Sequence, residues 1–125
     1  MRRIAGALLF AFSSWSANAD DSAHQMTMDN AHAELSVCLA FYSILRECAG
    51  SEAARAETKA AMLRFENMLL DAARAAHLQS SDEQLRLELN LLDQRTFSGN
   101  NCSGAGTLRA RYAEQCARLL KTDAD

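Results

Sequence analysis

Four cysteines, Cys38, Cys48, Cys102 and Cys116, are the side chains of this 125-residue chain best suited to covalent or metal chemistry. Paired thiols can oxidise to disulfides, and four thiolates can hold a tetrahedral zinc ion. Spacing separates the two outcomes. Zinc sites built from cysteine use close pairs such as Cys-x2-Cys, and here the nearest two lie ten residues apart. No Cys-x-x-Cys redox pair and no Cys-x-x-Cys-His haem motif occurs. Two structural disulfides are the expectation.

The segment from His24 to His32 gathers two imidazoles with Met26 and Met28, a soft donor set of the kind copper favours. His24 is not third from the expected mature terminus, so no amino-terminal copper site forms, and the segment reads as a polar lead-in to a helix. His77 stands alone at a predicted helix end, where an imidazole interacts favourably with the helix dipole. Glu34, Glu47 and Glu66 show no pairing at an informative spacing. Tyr42 and Tyr112 are expected to pack, with room for a small pocket beside Phe41 and Met62. The sequon Asn101-Cys102-Ser103 has a cysteine at its centre and follows a bacterial-style leader, so glycosylation is not expected. No catalytic, cofactor or metal residue can be named, and an enzyme is not expected.

The leader decides the compartment. Arg2 and Arg3, an apolar run from Ile4 to Phe12, and Ala17-Asn18-Ala19 make a secretory signal peptide over residues 1–19. Its apolar run is too short for a permanent span, which needs about 20 residues. Export to a periplasmic or secreted location makes stable disulfides reasonable. The remaining chain divides into a flexible lead-in, residues 20–28, and one domain, 29–125. Without the leader, eleven basic side chains face sixteen acidic ones. An acidic chain with no basic stripe is a poor ligand for nucleic acid or an anionic membrane surface.

The domain reads as all-α, a small four-helix up-down bundle. The first helix is predicted from Asp29 or Asn30 to about Ala49, with Gly50 in the left-handed closing position. The second begins after Ser51, with an apolar face of Ala54, Ala61, Met62, Phe65, Leu69, Ala72, Ala73 and Ala76. The third restarts at Ser80 or Ser81 with a capping box to Glu83 or Gln84, carries Leu85, Leu89 and Leu92 as its apolar stripe widened by Leu87 and Leu91, and stops at Gly99. Thr107 is the expected cap of the fourth, whose stripe is Leu108, Tyr112, Cys116, Leu119 and Leu120 and which ends near Lys121. Proline is absent throughout, as uninterrupted helices require.

Helical geometry restricts the cysteines further. Cys38 and Cys48 on one helix are separated by roughly 15 Å of rise, whereas a disulfide needs Cα atoms about 4.4–6.8 Å apart. Each must therefore reach the fourth helix or the loop before it, which leaves two connectivities. Up-down topology makes the first and fourth helices antiparallel and favours Cys38–Cys116 with Cys48–Cys102. Cys38–Cys102 with Cys48–Cys116 is the alternative.

The segment Cys38-Leu-Ala-Phe41-Tyr42-Ser-Ile, followed by Cys48 and by Tyr112 to Cys116, resembles small exported helical proteins of bacterial type. Their first mature helix carries a Cys-x-x-aromatic-Tyr segment. The resemblance implies a helical exported domain and brings no activity or site residue with it. The function expected is non-catalytic binding of a protein partner, as an immunity or inhibitor protein does; a carrier of a small ligand or copper is the alternative.

Overall fold

In the computed structural model the described residues are 21–99 and 101–123, with the backbone of the terminal helices carried to Arg2 and Ala124. The expected signal peptide, residues 1–19, lies outside the described side chains. Four helices follow one another: α1 (Arg2–Glu47), α2 (Glu52–Ala76), α3 (Ser80–Ser98) and α4 (Ala105–Ala124). No strand occurs among the described residues. The all-α expectation holds.

The helix boundaries correct several sequence expectations. α1 is already helical at Asp21, well before Asp29, and Gln25 donates to the Ala76 carbonyl at the end of α2. α1 also closes early, at Glu47, and Gly50 does not adopt the left-handed conformation. That conformation appears instead at His77, with φ 56°. Its N–H bonds to the Arg74 carbonyl and that of Leu78 to Ala73, the paired bonds of a Schellman ending. Ser51 caps α2 as expected, accepting from Ala54 N–H at 3.1 Å.

No capping box opens α3. Its cap is Gln79, whose carbonyl takes the N–H groups of Asp82 and Glu83, so Ser80 and Ser81 already lie in the first turn. The Glu83 carboxylate is turned toward His32 instead of back to the cap. Gly99 does close α3, its N–H donating to the Arg95 carbonyl. α4 starts at Ala105 and not at Thr107, because Gly104 N–H is held by the Ser98 carbonyl at 2.8 Å and the Gly104 carbonyl accepts the first helical bond, from Leu108. α4 continues past Lys121 to Ala124.

α1 is the hub. Its inner surface contributes Leu35, Cys38, Leu39, Phe41, Ile44 and Leu45 to one core with Phe65, Leu69 and Ala72 of α2 and Leu108 and Cys116 of α4. Cys38 bonds to Cys116, with Cα atoms 5.5 Å apart, and Cys48 bonds to Cys102, at 5.6 Å. The early cysteine of α1 thus meets the late one of α4, as antiparallel packing demands. Both bridges follow the favoured connectivity. Arg64 of α2 adds a polar tie, donating to the Leu120 carbonyl and the Asp123 carboxylate at the end of α4.

Candidate functional site

α3 turns the expected arrangement inside out. The residues it presents to α1 are Arg86, Asn90 and Gln94, spaced four apart and therefore on one side of the helix. Arg86 donates to the Asp29 carboxylate at 3.0 Å, to the Asp29 carbonyl, and to His32 Nδ1 at 3.0 Å. Asn90 donates to Ser36 Oγ at 3.2 Å, and Gln94 to the Val37 carbonyl at 2.9 Å. At the far end Arg95 pairs with Glu47 at 2.9 Å. Contacts advance in the same direction on both helices, so α3 runs parallel to α1. The seam between them is polar.

The leucine stripe faces the other way. Leu85, Leu89 and Leu92 are 54%, 57% and 64% exposed, while Leu87 and Leu91 pack against the core margin. This corrects the expectation that the three leucines are buried. At 100° per residue, positions 85, 89 and 92 lie opposite the buried Gln94 and Ser98. Isolated exposed leucines are ordinary, but a row of three on one helix is a coherent apolar face.

His32 is the node where the polar seam meets a groove. It is 2% exposed, and both ring nitrogens are engaged: Nδ1 accepts from Arg86, and Nε2–H points to Glu83 Oε1 at 3.5 Å. Burial, reinforced by the Arg86 charge, holds the imidazole below its ordinary pKa; Glu83 and Asp29 oppose this only in part. The ring is kept neutral and oriented. Because α2 and α3 both pack on α1, a groove of about 450 Å³ opens between them. His32 lies at its floor, Leu39, Leu69, Leu70 and Leu87 form apolar walls, and Glu66 and Glu83 stand at its sides.

The other candidate residues are not brought together. His24 and His32 share a helix and are separated by roughly 12 Å of rise, too far to ligate one ion. Among the described residues no group of three His, Cys, Asp or Glu side chains is placed to hold a metal. Glu47 pairs with Arg95, Glu66 lies at the groove, and Glu34 borders a separate surface depression. Phe41 packs against both tyrosines, 5.1 Å from the Tyr42 ring and 6.0 Å from Tyr112, and Tyr42 stacks on Phe65 at 5.5 Å. Tyr42 also borders a depression of about 460 Å³ lined by Leu45, Ala61, Arg64 and Leu120, and not by Phe41, Met62 or Tyr112. Burial, with the Glu57 carboxylate nearby, pushes the Tyr42 phenol above its usual pKa. Asn101 is exposed, and its Oδ1 accepts from Ser103 N–H within the loop.

Fold and site together define a four-helix protein clasped by two disulfides, with a polar inner seam and an apolar outer helix face. Comparison with protein-family models, curated proteins and solved structures finds no match to this chain. Among the described residues no helix is long and apolar enough to cross a membrane. The two disulfides are compatible with an oxidising extracellular environment.

Proposed function

We propose that this is an exported, non-catalytic protein that works by binding a protein partner through the outer face of α3. The observation that carries the reading is the placement of Leu85, Leu89 and Leu92 opposite the polar seam. Covering that row with another protein removes apolar surface from water, at roughly 25 cal/mol per Å². A rigid helix, held in register by hydrogen bonds to α1, loses little conformational freedom on binding. An inhibitor or immunity protein, which acts by masking another protein's surface, is one form of this reading.

A photo-crosslinking residue placed at Leu89, in cells that export the protein, tests it. The expected result is a light-dependent protein adduct at position 89 and none from the same probe at exposed Glu114. No adduct at 89 overturns the reading.

The groove at His32 favours a second reading, a carrier for a small apolar ligand gripped by Leu39, Leu69, Leu70 and Leu87. Native mass spectrometry of protein purified without denaturation should then show a retained small molecule, lost on Leu39→Glu substitution. A mass equal to that of the bare chain rejects it.

A further inference from the structure

We infer that the partner of the α3 face is a second copy of this chain, docked antiparallel across a two-fold axis that passes between positions 90 and 91. The inference rests on the reading that α3 is a binding face, and it names the occupant. Charge complementarity along the helix selects it.

Leu85, Leu89 and Leu92 follow the alternating four-and-three spacing of a coiled-coil seam, with Thr96 as the next position and Asp82 as the one before. In an antiparallel pair, each seam residue of one helix opposes the other seam type on its partner. Placing Leu89 against Leu92 of the second copy also sets Leu85 against Thr96. In this register Asp82 falls opposite Gly99, past the end of the second helix, so no carboxylate enters the apolar row. The flanking residues then match. Glu88 of each copy meets Arg95 of the other, and the two-fold axis makes this contact twice.

The competing arrangements fail on charge. Sliding the helices so that Leu85 opposes Leu89 brings Glu88 against Glu88 and puts Asp82 on Leu92. A parallel pair brings Glu88 against Asp93 and stacks Asp82 on Asp82. Like charges placed together at an interface oppose association, so a sequence that avoids these contacts in one register discriminates between the arrangements. Arg95 already bonds to Glu47, but that pair is exposed, and a guanidinium has further N–H groups with which to reach Glu88 of the second copy. Arg86 is drawn inward to Asp29 and is not needed by the favoured register.

Charge reversal at the two flanking positions tests this with the full, disulfide-bonded chain. The wild type should sediment as a concentration-dependent dimer. Glu88→Arg and Arg95→Glu should each weaken that dimer about tenfold or more, because each leaves like charges facing across both symmetric contacts. Mixing the two variants should restore association as a heterodimer, since the guanidinium introduced at position 88 of one then meets the carboxylate introduced at position 95 of the other. The double variant should again pair with itself. Both positions are exposed, and unchanged circular dichroism would show that the variants fold. A wild type that stays monomeric at several hundred micromolar overturns the inference, as do single reversals that dimerise like the wild type. A monomer that nonetheless crosslinks through position 89 to a different protein leaves the broader binding reading standing and removes this one.

Discussion

Arg86 of α3 donates a hydrogen bond to Nδ1 of His32 on α1 across 3.0 Å and ties the ring to the seam, where burial and the guanidinium charge hold the imidazole below its ordinary pKa. Protonation would put a cation beside the guanidinium in a buried place, so the folded state takes up the proton less readily than the unfolded chain. Where the unfolded state binds more protons, stability falls as pH falls. The melting temperature should therefore decline below about pH 6.5, the ordinary value for histidine, and level off once the folded imidazole also titrates. His32→Gln should flatten that part of the profile while costing about 1–2 kcal/mol near neutrality. Thermal melts from pH 7.5 to 5 check both, and an unchanged acid limb in the variant contradicts the assignment.

The two bridges should differ in their response to reductant. Cys38 and Cys116 are fully buried, whereas Cys48 and Cys102 are partly exposed. Thiol exchange requires access to sulfur. Mild dithiothreitol followed by alkylation and peptide mapping should label Cys48 and Cys102 first. Each bridge closes a loop of more than fifty residues, for which chain-entropy estimates give about 4 kcal/mol. Loss of Cys38–Cys116 should lower the melt more, because it also disturbs the core.

Gly104 and Gly106 should respond in opposite ways to alanine. A Cβ at Gly104 would collide with the Phe97 carbonyl oxygen, a backbone atom that cannot rotate away. At Gly106 an added Cβ meets nothing within 4 Å. Gly104→Ala should cost about 2 kcal/mol or more by prising the loop from the end of α3, as overpacking does. Gly106→Ala should gain roughly 0.5–1 kcal/mol from helix propensity. Chemical denaturation of the two variants decides this.

His77 occupies a left-handed backbone position that suits glycine best. Replacing it with glycine should raise stability by about 1 kcal/mol, since the αL conformation costs an L-residue that much. A drop in the melting temperature would mean that the imidazole makes a stabilising contact beyond its backbone role.

The clasp was legible because helical rise forbids a Cys38–Cys48 pair and antiparallel packing orders the rest. The face of α3 was not. Leu85, Leu89 and Leu92 repeat at helical spacing, and Arg86, Asn90 and Gln94 repeat just as regularly a quarter to half a turn away. A sequence reading assigns the apolar row to the interior. Here the partners that decide the matter, Asp29, Ser36 and the Val37 carbonyl, lie more than fifty residues earlier and become neighbours only in the fold. Boundaries failed for similar reasons. Glu83 looked like half of a capping box, but its carboxylate is turned to His32 on α1; Gly50 looked like the natural left-handed residue, yet that conformation falls at His77.

Both bridges join the segment before α2 to the segment after α3. Any single cleavage between Cys48 and Cys102 therefore divides the chain into two pieces that remain fastened at two points. A protease that nicks the short link at Leu78 or Gln79 would create new ends without releasing a fragment. Such a nicked form would run as one band until a reducing agent is added, and its four helices would remain together.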